Sequence, residues 1–347
     1  MYMRLKLLCI AKIIVIAMHW QLLICAEQYD PNITMVDIGS SRLHYRPIGE
    51  KFKGKGPTVI FEHGLHCESS YWNIIQKKLI EHEIYSCSYD RAGLGFSSRS
   101  LAPRTAANIV KDLHLLLKTA NIPGPYILVG HSFGGLCTQL YCATYPEQVV
   151  GMVLIESVHE DMLIDMPKKM IESWEWQRYK LSLVRYIPVQ ILAKIGQETE
   201  RNKLKNEISY PIDFIDERLH NIFRQSYFLT LYNEIENVYE SLNQVKNSCR
   251  FFGNIPLIVI IADNFEDVSA YGCGNLHDFD KATQNLFIDT CKKHKEQQLS
   301  RSSCSFKELW TPSGCSHRVP LENPDVIVSS VKYVWDYALL MSAASNN

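Results

Sequence analysis

Residues 126–142 read Tyr-Ile-Leu-Val-Gly-His-Ser-Phe-Gly-Gly-Leu-Cys-Thr-Gln-Leu-Tyr-Cys, and the fold turns on how that stretch is read. The apolar run from Tyr126 to Val129 has the composition of a buried strand and stops at Gly130. Phe133, Leu136, Cys137, Leu140 and Tyr141 then recur at helical spacing on one face. Between the two patterns lies Gly130-His131-Ser132-Phe133-Gly134, a serine with glycine two residues before and two after. A strand that turns into a helix this sharply leaves no room for larger side chains at those positions, and the turn lifts the serine hydroxyl clear of the sheet. The N–H of Phe133 points at the same spot from a helix N-terminus, where negative charge is stabilised. A glycine-rich connection with an incidental serine is the plainer reading; the strand before and the helix after favour the elbow.

Outward from the elbow, strand-like and helix-like segments alternate. Strands are expected from Thr58 to Phe61, Ile84 to Tyr89, Val149 to Ile155, Ile255 to Ala262 and Phe306 to Trp310, and two short ones between Met35 and Tyr45. Helices are expected from Tyr71 to Ile80, Thr105 to Ala120, Lys281 to Lys295 and Val326 to Leu340. Strands apolar along their whole length imply a mostly parallel sheet covered on both faces. Such a sheet gathers its ligand site at the strands' carboxyl ends, and His63-Gly64-Leu65, Ser132 and Glu156 all follow strand ends. The segment 158–250 breaks the alternation. It is charged and helical in pattern, carries Trp174, Trp176, Tyr179, Tyr227 and Tyr232, and has an apolar stripe of Leu181, Val184, Ile187, Ile191, Leu192 and Ile195. It reads as a cap over the crevice that excludes water and offers an apolar pocket.

A net charge of −1 at pH 7 leaves no basic excess to neutralise phosphates, so nucleic acid is not expected as a partner. Arg4 and Lys6 precede an apolar run from Leu7 to Ala26, which reads as a signal peptide or a signal-anchor, although Lys12 interrupts it. An amphipathic helix lying on a membrane surface is the competing reading. The expectation is a secreted or membrane-anchored protein with its globular part outside the cytoplasm. Asn32-Ile33-Thr34 is a glycosylation sequon in keeping with that. Cys137 and Cys142 read as buried thiols, whereas Cys249, Cys273, Cys291, Cys304 and Cys315 crowd the C-terminal third, where disulfides are expected without a deducible pairing. Cys291, His294, Cys315 and His317 fit no compact zinc spacing, and no metal is expected.

Taken together, His63-Gly64-Leu65, the segment Asp90 to Ser97, Gly-His-Ser-Phe-Gly at 130–134 and Ser313-Gly314-Cys315-Ser316-His317 resemble the α/β-hydrolase superfamily over roughly Met35 to Ala338. The resemblance implies an α/β fold with a mostly parallel eight-stranded sheet flanked by helices and a helical cap inserted after the sixth strand. It divides the chain into 1–26 (leader or anchor), 27–157 (first part of the core), 158–250 (cap) and 251–347 (second part of the core). It also implies a Ser-acid-His triad in that chain order and no cofactor. Ser132 matches the nucleophile and His317, in the loop after the last strand, the base, although Cys315-Ser316 stands where the family usually has glycine. Adjacent His131 is expected to point away; His277 and His294 are weaker rivals for the base. For the acid, Glu156 at the tip of the sixth strand is preferred, then Asp263, with Asp267 a further candidate. The N–H groups of Leu65 and Phe133 match the oxyanion hole, and Asp90 and Arg91 would brace loops beside it. The expected reaction is cleavage of a carboxylic ester or thioester, the partner a small and apolar ester, with membrane association through residues 7–26. Amide or peptide cleavage, acyl transfer and non-catalytic ligand binding on the same fold are the alternatives.

Overall fold

The computed structural model describes residues 33–184, 212–269 and 273–345, together with positions 186, 187, 191, 196 and 200–202. The apolar run 7–26, Asn32 of the sequon, and Leu192 and Ile195 of the cap stripe lie outside the described residues. Among those described, no helix is long and apolar enough to cross a membrane.

Eight strands form one sheet in the order β1-β2-β4-β3-β5-β6-β7-β8. They are β1 (Met35–Asp37), β2 (Arg42–Ile48), β3 (Thr58–Glu62), β4 (Ser86–Tyr89), β5 (Tyr126–His131), β6 (Val149–Ile155), β7 (Leu257–Ile260) and β8 (Lys307–Trp310). β1 and β2 pair antiparallel with each other, and β2 pairs antiparallel with β4; every pairing from β4 to β8 is parallel. The expected strands are all present. β5 runs two residues further than its apolar stretch, to His131, because Gly130 and His131 still pair with β6.

Alternate residues of the central strands face opposite layers. Ile60, Leu128, Met152, Leu154, Leu257 and Val259 join one core, with helices Ala106–Thr119, Phe133–Thr144 and Val238–Ser248. Val59, Phe61, Ile127, Val129, Val153, Ile155, Ile258 and Ile260 join the other, with helices Asn73–Leu79 and Pro324–Ser345. Two covered faces explain why these strands are apolar throughout rather than alternating. Among the described residues, five helices with defined bounds fall between β6 and β7: Met162–Asp165, Lys168–Val184, Ile212–Ile222, Gln225–Glu236 and Val238–Ser248. The last packs on helices Ala106–Thr119 and Phe133–Thr144, so this end of the 158–250 segment is built into the core. In the C-terminal third, Cys249, Cys304 and Cys315 are buried thiols rather than members of disulfides, filling space as small apolar side chains.

Leu128 is wholly buried at the centre of β5, whereas Leu101 is fully exposed. Leu128→Ala is expected to cost about 2–5 kcal/mol and Leu101→Ala less than about 0.5 kcal/mol, read as shifts of the urea midpoint at constant slope.

Candidate active site

The elbow is built by close backbone approach. A Cβ on Gly134 would lie 2.3 Å from the carbonyl oxygen of Glu62, and one on Gly130 would lie 2.7 Å from Cα of Gly135. Only glycine fits at either place. Between them Ser132 is held at φ 55°, ψ −121°, a conformation non-glycine residues avoid at a cost of about 1–3 kcal/mol. Its backbone is fixed on both sides: the Ser132 N–H donates to the Ile155 carbonyl (3.0 Å), and its own carbonyl accepts the N–H of Val158 (3.0 Å). The side chain faces a cavity of about 20 Å³ lined by Leu65, Ser132, Phe133, Val158, Met162, Trp174, Val238 and His317. That is room for about one water molecule. Leu65 and Phe133, whose N–H groups are the expected oxyanion donors, therefore share one small enclosure with Ser132 and His317.

The structure brings Glu156 to His317. The loop after β8 returns His317 to the tip of β6, where its Nδ1 lies 3.1 Å from Glu156 Oε2. Glu156 Oε1 accepts the N–H of Ala262 (2.9 Å), and Glu156 also takes a positive φ, 45°, so that its side chain leaves the strand end toward the site. Burial alone would raise the Glu156 carboxyl. Lys295, His317 and the Ala262 N–H overcome burial and hold it down at about 2. Lys295 itself is buried and donates to the Ser157 carbonyl, which places its charge beside Glu156.

The other acid candidates lie elsewhere. Asp263 is exposed and lines a separate open pocket of about 470 Å³ with Asn264, His277, Ser313 and Gly314. The Asp267 carboxylate accepts the N–H of Ser269 (2.9 Å). Among the rival bases, His277 faces the Asp263 pocket, and His294 Nε2 bonds Asp165 Oδ2 at 3.0 Å. Cys291 and Cys315 sit in different apolar clusters, so the four residues weighed as a zinc set do not converge. Among the described residues only His159, Glu160 and Asp161 have ligand atoms close enough to share a cation, and there Arg301 and Lys246 already balance Glu160 and Asp161.

His131, set aside as the base in the sequence, packs beside His317: its ring centroid lies 4.9 Å from that of His317, and its Nε2–H donates to the His317 carbonyl (2.8 Å). Tyr71 stacks on it at 5.4 Å. Burial, then the neighbouring His317, push His131 down to about 3, so the ring is neutral and braces the loop that carries His317. The five-residue motif gave no hint of this, because the contact is made to a backbone 186 residues away.

The sequence pattern of the family described as the alpha/beta hydrolase fold matches residues 57–247, more than half of the chain, and the chain belongs to that family. An uncharacterized protein of Bacillus subtilis, YqjL, is 40% identical over 101 residues, which span 29% of this chain and 40% of that protein. A protein of Gibberella zeae called AB hydrolase superfamily protein is 33% identical over 118 residues, 32% of this chain and 36% of its own. The chain thus spans about two fifths of the length of these relatives. Among solved structures, the Cif epoxide hydrolase of Acinetobacter nosocomialis superposes with a TM-score of 0.62 at 13% identity, over 88% of this chain and 90% of that one. At that identity the likeness is one of fold.

The Glu156 carboxyl is lower in the folded chain than in the unfolded one, so its contribution to stability is fully present above about pH 5 and fades as the pH falls toward about 2. Glu156→Gln is expected to flatten the acid side of the stability profile over that window, measured by urea unfolding at stepped pH.

Proposed function

We propose that this chain is a serine hydrolase that cleaves a carboxylic ester or thioester through an acyl-enzyme on Ser132. The observation that supports the reading most is the contact between the buried, ionised Glu156 and Nδ1 of His317. A carboxylate at Nδ1 keeps the proton on that nitrogen and leaves Nε2 with a lone pair, the tautomer a general base needs. In this reading His317 Nε2 takes the Ser132 proton as Oγ attacks the carbonyl carbon. The N–H groups of Leu65 and Phe133 receive the oxyanion. His317 then gives its proton to the departing alcohol or thiol, and a water deprotonated by the same nitrogen releases the acid. Glu156 stays ionised throughout and stabilises the imidazolium.

The enclosure favours an apolar acyl group: Leu65, Phe133, Val158, Met162, Trp174 and Val238 surround Ser132. At about 20 Å³ it has room for about one water molecule, so an acyl group enters only as lining side chains shift. The elbow residue is a serine, whose hydroxyl forms an acyl-enzyme, and not the aspartate that hydrolases attacking through a carboxylate carry.

The test is turnover of p-nitrophenyl esters of graded chain length. Wild type is expected to hydrolyse them. Glu156→Gln should lower kcat by about ten-thousand-fold, whereas Asp263→Asn should stay within about threefold. A loss caused by Asp263→Asn with Glu156→Gln unaffected would reverse the assignment of the acid.

A further inference from the structure

Arg91 lies in the loop after β4 and is wholly buried. Its guanidinium has five N–H donors, and the structure supplies an acceptor for each. Nε donates to Glu234 Oε1 (2.7 Å) and Nη2 to Glu234 Oε2 (2.9 Å). Nη1 donates to Glu62 Oε1 (2.8 Å) and to the His63 carbonyl (2.5 Å). The second Nη2 hydrogen goes to the Gly64 carbonyl (3.0 Å). The guanidinium carbon also lies 5.6 Å from the centroid of the Phe133 ring. Phe133 and the Gly64–Leu65 peptide, which carry the two expected oxyanion donors, are therefore both next to this one side chain.

The contact to Gly64 matters most. The Gly64 carbonyl and the Leu65 N–H belong to one planar trans peptide, so they point in opposite directions and turn together. A charged donor fixed on the oxygen fixes the bearing of the N–H across the plane. It also draws electron density toward the oxygen and makes the N–H a stronger donor. His63 Nδ1 holds the same oxygen at 2.9 Å. Arg91 in turn is oriented by a bidentate pair with Glu234, a buried residue of helix Gln225–Glu236 in the segment between β6 and β7.

We infer that Arg91 is a positioning residue that aims and polarises the Leu65 N–H for the developing oxyanion, and that Glu234 sets its orientation from the segment covering the site. This rests on the serine-hydrolase reading for its kinetic consequence, but the geometry of the Leu65 amide can be read without turnover.

The variants are Arg91→Lys, which keeps a charge but has no planar fork, and Glu234→Gln, which keeps the shape and loses the counter-charge. Two readouts are paired. The first is kinetic: kcat and KM on a p-nitrophenyl ester, and the inhibition constant of a trifluoromethyl ketone, which forms a tetrahedral adduct on the serine. Arg91→Lys should lower kcat by about 10–100-fold with KM within about threefold, and should weaken the ketone by the same factor. Glu234→Gln should move both in the same direction by a smaller factor. The second readout is hydrogen exchange and the 15N shift of the Leu65 amide in folded protein, which both variants should change more than the amides of β5. If Arg91→Lys does not fold, Glu234→Gln alone carries both readouts. A lowered Tm with kcat, ketone affinity and the Leu65 amide unmoved would reduce Arg91 to a structural role and overturn the inference. Wild type inert toward every ester, with Leu65 still responding to the variants, would sink the hydrolase reading and leave the positioning role standing.

Discussion

At residues 130–134 the chain passes so close to its neighbours that side chains are shut out, and the rest of the site depends on that crowding. Gly134 sits against the carbonyls of Glu62 and His63, at the end of β3. Because β3 and β5 pair in parallel, with Glu62 opposite Gly130, the two strands deliver their ends side by side. One end presents Ser132; the other continues into Gly64 and Leu65, where a Cβ on Gly64 would meet the Ser132 Cβ at 3.2 Å. Ser132 and the Gly64–Leu65 peptide are neighbours for a reason that lies in strand register rather than in any contact between their side chains. The strained φ of Ser132 is tolerated because hydrogen bonds to Ile155 and Val158 fix the backbone on both sides.

Two buried carboxylates near the site are handled differently. Glu62 is committed to Arg91 and to the Tyr89 hydroxyl, a closed arrangement with no atom left for the cavity. Glu156 keeps one oxygen for the Ala262 backbone and gives the other to His317, with Lys295 supplying positive charge from helix Lys281–Ser300. A buried carboxylate needs such compensation to stay ionised. The segment between β6 and β7 is held by ion pairs too: Arg218 bonds Glu68 at 2.8 Å, Glu217 pairs with Arg46, and Glu234 pairs with Arg91. These pairs join the segment between β6 and β7 to β2 and to the loops after β3 and β4.

Much of this was legible in the chain itself. The strands and the elbow follow from local periodicity and from glycines at fixed offsets, which are short-range signals, whereas His317 is reached only through the family resemblance. The acid was ambiguous because two carboxylates follow adjacent parallel strands, β6 and β7, and only the turn geometry decides which one faces the histidine. Glu156 takes a positive φ and turns toward His317, while Asp263 turns out to an open pocket. The support that His131 gives the His317 loop has no local signal, because the contact is made to a backbone 186 residues downstream. The Glu234 partner of Arg91 had no sequence signal either: residues 225–236 hold two glutamates, Glu234 and Glu236, and neither is marked as the partner of an arginine in the loop after β4. The crowding of cysteines suggested disulfides by number, whereas burial among apolar side chains accounts for Cys249, Cys304 and Cys315.

The central claim is that the hydroxyl of Ser132 is a nucleophile activated by the folded arrangement around it. Its most direct test is to treat native protein with a fluorophosphonate and map the adduct by peptide mass spectrometry. The account predicts one adduct per chain, on the peptide containing Ser132, abolished by unfolding in urea beforehand and by Ser132→Ala. A folded protein that stays unlabelled, or that carries its adduct on another residue such as Ser157, would contradict it.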